Sequence, residues 1–268
     1  MRLPDRVGSR IIAAMEPVRT ALVTGAAQRI GRAIALDLAR HGWAVAVHHH
    51  RSTGEAGEVV RLIQAAGGRA VGVPADLARE EETATLVERA AAELGPITCL
   101  VNNASRFDLD LADTVTRVSW DAHLETNLRA PFVLTQAFAR QLPEGQAGNV
   151  VNLLDQRVWN LTPYFVSYTV SKTGLWTLTR SLALALAPRI RVNAIGPGPA
   201  LKSPRQSEAD FARQCESTPL KRGTTPEEIC DALRFILGAP ALTGQMIVLD
   251  GGQHLGLKLP PGVSLPPE

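Results

Sequence analysis

"TALVTGAAQRIGRAIALDLARHGWAVAVHH", residues 20–49, decides the fold. A short apolar run ends in Gly25, a helical pattern follows over "RIGRAIALDLARHG" (29–42), and a β-rich run resumes over "WAVAVHH" (43–49). Strand, helix and strand in this order make a crossover unit, which is right-handed when the two strands lie parallel in one sheet. The alternation continues through "RAVGVPAD" (69–76), "ITCLVNNAS" (97–105), "NVVNLLD" (149–155), "IRVNAIGPG" (190–198) and "QMIVLDGG" (245–252). Helix-like segments fall near 55–66, 79–94, 114–141, 164–187 and 226–237. The pattern predicts a single doubly wound α/β domain over residues 19–256, a mostly seven-stranded parallel sheet with helices on both faces.

Composition agrees. The 268 residues suffice for one large core, and 45% hydrophobic with 20% charged residues is ordinary for a globular protein. A net charge of +2 gives no electrostatic case for nucleic acid or a membrane surface. No apolar run approaches the roughly 18 residues of a membrane span. Cys99, Cys215 and Cys230 share no metal-ligand spacing, and their odd number without a secretory pattern points to the cytoplasm. Residues 1–18 read as an N-terminal extension, dispensable over 1–14, and 257–268 as a Pro-rich tail. The polar, Pro-interrupted stretch around 199–223 reads as a lid over the carboxyl ends of the strands. After it, "TTPEEI" (224–229) places Thr225, Pro226 and Glu228 as a helix-starting capping box.

"TGAAQRIG" (24–31) joins the first strand to the first helix. Glycine there lets backbone approach a pyrophosphate, and the helix N-terminus offers free amides. At the end of the second strand an NAD enzyme would carry an acid for the ribose hydroxyls. This chain has "HHHRS" (48–52) instead, and His50, Arg51 and Ser52 offer donors suited to a 2′-phosphate, hence NADPH. Three adjacent His cannot converge on a metal from one strand, because side chains alternate; no metal is expected. Asp76 in "AD" (75–76) suits the adenine amino group.

Tyr168 and Lys172 stand one turn apart on a predicted helix and project from one face. An ammonium there would stabilise a phenolate and lower the Tyr pKa. With "TGAAQRIG", "NNAS" (102–105), Asn127 in "ETNLRAPF" and "RVNAIGPG" (191–198), the pair resembles the short-chain dehydrogenase/reductase family from about residue 19 to 256. That resemblance implies a Rossmann-type fold, Tyr168 as acid/base, Lys172 on the nicotinamide ribose, and Asn127 holding a relay water. It further implies cofactor contacts from Gly25, Arg29, Ile30, Gly31, Leu77, Asn103, Ala104, Ser105 and the Pro197–Gly198 turn. Family members commonly pair through the helices at 114–141 and 164–187, and the apolar run "LWTLTRSLALALA" (175–187) fits a dimer or tetramer.

Two departures narrow the resemblance. Arg29 replaces the middle glycine of the loop, and Asp155 stands where the family carries a Ser that donates to a substrate carbonyl. Both resemble the pteridine reductase branch. There Phe107 in "RFD" (106–108) would stack on a pterin, Ser105 would bond pterin and cofactor, and Arg29 would bridge phosphate and pterin. A partly buried carboxyl with a raised pKa would help protonate a ring nitrogen, as a Ser would not. Plainer readings stand beside these: Asp155 capping its loop or pairing with Arg157, Phe107 as packing, Arg29 on phosphate alone. The resemblance implies an NADPH-dependent reductase making tetrahydropterins from dihydropterins. A ketone reductase and a catalytically idle NADPH sensor are the alternatives.

Overall fold

Every residue of β1 (Thr20–Val23) is buried, as suits a strand covered on both faces at the middle of a sheet. The computed structural model describes residues 19–256, so the extension over 1–18 and the tail over 257–268 lie outside the described residues. After β1 come α1 (Arg29–Arg40), β2 (Ala44–His49), α2 (Thr53–Ala65), β3 (Ala70–Pro74), α3 (Glu80–Leu94) and β4 (Cys99–Asn102). Next are α4 (Arg117–Leu124), a π-helical turn (Glu125–Arg129), α5 (Ala130–Gln141), β5 (Gly148–Leu153) and α6 (Val166–Leu186). The chain continues with β6 (Ile190–Pro197), α7 (Glu208–Glu216), α8 (Pro226–Gly238) and β7 (Met246–Leu249).

The seven strands form one sheet in the order β3-β2-β1-β4-β5-β6-β7, and every pairing is parallel. Alternation along β1 splits the core in two. Ala21 and Val23 face a cluster with Ile34 and Leu38 of α1, Val59 of α2 and Leu233 of α8. Leu22 faces the other side with Leu86 of α3, and Leu134 and Phe138 of α5. The chain steps outward from β1 to β3, then returns to lay β4 against β1. Their carboxyl ends therefore diverge around a crevice, the place where such sheets bind ligands.

Three local features differ from the sequence reading. The helix expected over 114–141 is interrupted by the π-helical turn, directly before Pro131 in the first turn of α5. Proline lacks the N–H of a regular ladder, and the wider turn accommodates it. The lid contains α7, whose Ser207–Asp210 capping box starts a helix with no buried residue. With nothing buried, α7 leaves no apolar periodicity to read. Strand β5 stops at Leu153, which places Asp155 in the turn beyond the sheet. The expected Thr225–Glu228 capping box is present at the start of α8. Among the described residues no helix is long and apolar enough to cross a membrane.

Candidate active site

Gly25 leaves β1 with φ +62°, and the chain turns so tightly that a Cβ on Gly31 would lie 2.2 Å from the Gly25 carbonyl oxygen. Asn103, just past β4, clasps this turn. Its Nδ2 donates to the Thr24 carbonyl at 2.8 Å, and its backbone N–H donates to Thr24 Oγ1 at 2.9 Å. No side chain caps α1, so its first-turn amides keep their capacity for a ligand. Arg29 holds φ +54°, a left-handed conformation that costs roughly 1–2 kcal/mol outside glycine. This explains the glycine usual at that place and marks the arginine side chain as worth a strained backbone.

A cleft of about 680 Å³ runs along this turn. Gly25, Arg29, Ile30, Gly31, His50, Arg51, Ser52, Asp76, Leu77, Asn103, Ala104 and Ser105 all line it. Pro197 and Gly198 stand apart from that lining at the end of β6, where Gly198 donates to Leu249 O at 2.9 Å. The three histidines go separate ways. His50 lies 3.6 Å from the Asp76 carboxylate, and His49 is buried. Among the described residues no group of three or more His, Cys, Asp or Glu side chains could hold a metal. His48 is a residue that sequence reading missed as a participant. Its Nδ1 accepts from Gly25 N–H at 3.0 Å, so Nε2 carries the proton and meets Ala75 O at 3.1 Å. One neutral imidazole thus ties β2, the glycine turn and the end of β3. Burial pushes its pKa down to about 4.

Beyond β5 the catalytic candidates converge. Asp155 caps the turn Gln156–Val158: its Oδ1 accepts from Arg157 N–H at 2.8 Å and its Oδ2 from Arg157 Nη1 at 3.2 Å. The same Oδ2 accepts from the Tyr168 hydroxyl at 3.0 Å. The capping and pairing roles therefore coexist with a contact to the phenol. Lys172 Nζ donates to the Leu153 carbonyl at 2.7 Å and lies 5.8 Å from the Tyr168 ring centroid.

The electrostatics correct one expectation. Tyr168 is not brought into a lower range: burial first, then the Asp155 carboxylate, raises its pKa well above the ordinary phenol value, with Arg157 opposing. Burial lowers Lys172 to about 8, with Asp155 opposing. Burial and the adjoining carboxylate together keep the proton on Tyr168 at neutral pH.

The other side chains named from the resemblance have partners within the protein. Both ends of the Asn127 amide are taken by protein: Oδ1 accepts from Arg106 N–H at 2.7 Å, and Nδ2 donates to Arg106 O at 2.9 Å and Ser171 Oγ at 3.0 Å. Full burial in the π-helical turn directs it to that backbone. Phe107 stacks on Phe165 at 4.5 Å and meets the edge of Tyr168 at 4.6 Å, so Phe165 already covers one of its faces. Arg29 reaches the lid, donating to Lys202 O at 3.0 Å and Leu201 O at 3.1 Å. Arg205, from the lid, donates to Phe107 O at 2.8 Å with its guanidinium 5.1 Å from that ring. Phe165 and Arg205 were not singled out from sequence, and Arg157 entered only as a pairing partner for Asp155.

Comparison with known proteins places this arrangement. A family model described as enoyl-(acyl carrier protein) reductase matches residues 25–254. A 3-oxoacyl-[acyl-carrier-protein] reductase of Staphylococcus epidermidis is 32% identical over 242 residues, covering 88% of this chain and 99% of the relative. Among solved structures, the FolM alternative dihydrofolate reductase 1 of Brucella suis in complex with NADP is 48% identical, with a TM-score of 0.88 over 90% of this chain and 97% of that one. A blue fluorescent protein from a metagenomic library in complex with NADPH is 30% identical, with a TM-score of 0.81 over 87% of this chain and 97% of that one.

The His48 bridge predicts a pH signature. Between pH 6.5 and about 4 the unfolded chain binds a proton that folded His48 refuses, so its contribution is present above 6.5 and lost as pH falls through that window. The full window corresponds to about 3 kcal/mol. Urea unfolding of wild type and His48→Gln at neutral and mildly acid pH checks it. The wild-type advantage shrinks on acidification; an advantage independent of pH contradicts the bridge.

Proposed function

This chain is a member of the short-chain dehydrogenase/reductase family of oxidoreductases, and we propose that it is an NADPH-dependent reductase of dihydropterins. The product is a tetrahydropterin. The observation that carries the reading is the Asp155–Tyr168 hydrogen bond at the place where a carbonyl reductase needs a hydroxyl donor. Its nearest support is the 48% identity to an alternative dihydrofolate reductase.

The groove fits the cofactor. Gly31 leaves room that a Cβ would fill, the start of α1 offers amides, and Arg51 and Ser52 suit a 2′-phosphate. When bound there, the dinucleotide would supply hydride for a carbon of the substrate C=N bond. Tyr168, kept protonated, offers its hydroxyl proton to the ring nitrogen. In the free enzyme that hydroxyl donates to Asp155, which Arg157 seats; with substrate bound its single proton would turn to the ring nitrogen, and Asp155 would relay a proton from solvent to the phenolate left behind. Lys172 sets positive charge beneath the pair. Phe107 forms an aromatic wall for a flat ring, which needs Phe165 to give way on the covered face. Arg29 and Arg205 hold the lid against the cofactor turn and the wall. The reading includes a cytoplasmic location and pairing of copies through α4 and α6, where Val118, Val170 and Leu184 are exposed.

A second reading, reduction of a ketone such as a 3-oxoacyl thioester, draws support from the 32% identity to 3-oxoacyl-[acyl-carrier-protein] reductases. It must do without the Ser whose hydroxyl would donate to a carbonyl, because Asp155 stands in its place and accepts from Tyr168. An idle NADPH sensor would leave buried Tyr168 and Lys172, with Asp155 on the phenol, without a purpose.

NADPH oxidation with dihydromonapterin, dihydrobiopterin and a ketone panel tests the assignment. Turnover of a dihydropterin supports it; ketone reduction without dihydropterin turnover overturns it. The pH profile adds a second check. Lys172 loses its charge as pH rises through about 8, so kcat/KM falls above that pH. In Lys172→Arg the fall moves to higher pH, and a profile identical to wild type contradicts the role of the charge.

A further inference from the structure

Behind Tyr168, α6 begins without a cap of its own. Phe165 holds the N-cap position at φ +60° and has no side-chain acceptor. The orphan amides of this first turn are satisfied from far away in sequence. Asp110 takes the Phe165 N–H on its backbone carbonyl at 2.8 Å and the Ser167 N–H on Oδ1 at 3.2 Å, and its Oδ2 accepts from the Ser167 hydroxyl. Its negative charge thus sits at the positive end of a 21-residue helix.

The chain of bonds continues. His123 of α4 approaches Ser167 Oγ with Nδ1 at 2.7 Å and Ser119 O at 3.0 Å, while its Nε2 accepts from Asp108 N–H at 3.0 Å. An accepting Nε2 puts the ring proton on Nδ1, so each donor in the series has an acceptor. Asp110, Ser167 and His123 are 3%, 0% and 0% exposed. A buried carboxylate and imidazole are costly where apolar side chains would pack, so stability alone is a weak reason for them. Their position offers another. One end of the series holds the amide after Phe107, and the other holds the residue before Tyr168.

We propose that Asp110, Ser167 and His123 are positioning residues that lock the loop carrying Phe107 onto the start of α6, and so set the gap between the aromatic wall and the Tyr168 hydroxyl. They act through those two side chains rather than on substrate. The proposal rests on the reading above in taking Tyr168 as proton donor and Phe107 as the wall.

The test uses Ser167→Ala, His123→Leu and His123→Gln, whose amide oxygen can still accept from Asp108 N–H. NADPH affinity stays within a few-fold of wild type in all three. With dihydropterin, Ser167→Ala and His123→Leu raise KM and lower kcat so that kcat/KM falls about a hundredfold, as expected for a displaced reacting geometry. His123→Gln recovers most of the loss. Hydrogen exchange over residues 105–111 speeds up in Ser167→Ala, which reads the lock even if His123→Leu fails to fold. Unchanged kinetics and exchange in Ser167→Ala overturn the proposal, as does an equal loss of NADPH affinity, which would mean general damage. Wild type inert toward dihydropterins overturns the substrate reading alone; the same variants are then compared on whichever ketone is reduced.

Discussion

The return of the chain from β3 to lay β4 beside β1 is the constraint on which the site depends. It brings Thr24 and Asn103, far apart in sequence, into mutual hydrogen bonding at the two strand ends. That clasp holds the glycine turn, and the His48 imidazole holds it from the other side. The residues from Gly25 to Ser105 named for the dinucleotide then line one cleft, and Pro197, Gly198, Tyr168 and Lys172 lie outside its lining. The turns after β4 and β5 inherit the same edge of the sheet, and from them come Phe107 and Asp155.

Charge ordering around Tyr168 follows from burial. Three groups that would each ionise differently in water share a nearly dry space. The carboxylate has a guanidinium partner, the ammonium has only a carbonyl, and the phenol faces the carboxylate. The outcome is a phenol that keeps its proton and a lysine with a pKa near neutrality. This suits delivery of a proton in a reduction better than abstraction of one in an oxidation. The arginines around it do structural service at the same time. Arg29 and Arg205 tie the first part of the lid to the glycine turn and to Phe107, and Arg157 seats the carboxylate.

Much of this was legible in residues 20–49 and in the spacing of later motifs, because strand and helix periodicity is local. Of the groove residues, Gly25, His50, Arg51, Ser52 and Asp76 follow recognisable strands, whereas Arg29, Ile30, Leu77, Asn103, Ala104 and Ser105 came from the family resemblance. The sign of the Tyr168 shift was not legible. Helical spacing shows that Lys172 is near, but not that burial weakens it or that Asp155 touches the hydroxyl. His48, Phe165 and Arg205 act through tertiary contacts that no local pattern announces. Helix α7 escaped because its capping box, rather than an apolar face, starts it. The Asp110–Ser167 bridge spans 57 residues and leaves no sequence signal at all.

We propose that the carboxylate beside the phenol commits this reductase to a C=N bond. Asp155→Ser restores the hydroxyl usual in ketone reductases, and its turnover of dihydropterin and of ketones, at saturating NADPH, tests that claim most directly. The account predicts loss of most dihydropterin turnover with NADPH binding intact and ketone reduction retained or gained. Wild-type dihydropterin turnover in Asp155→Ser would contradict it and leave Asp155 as the cap of its turn.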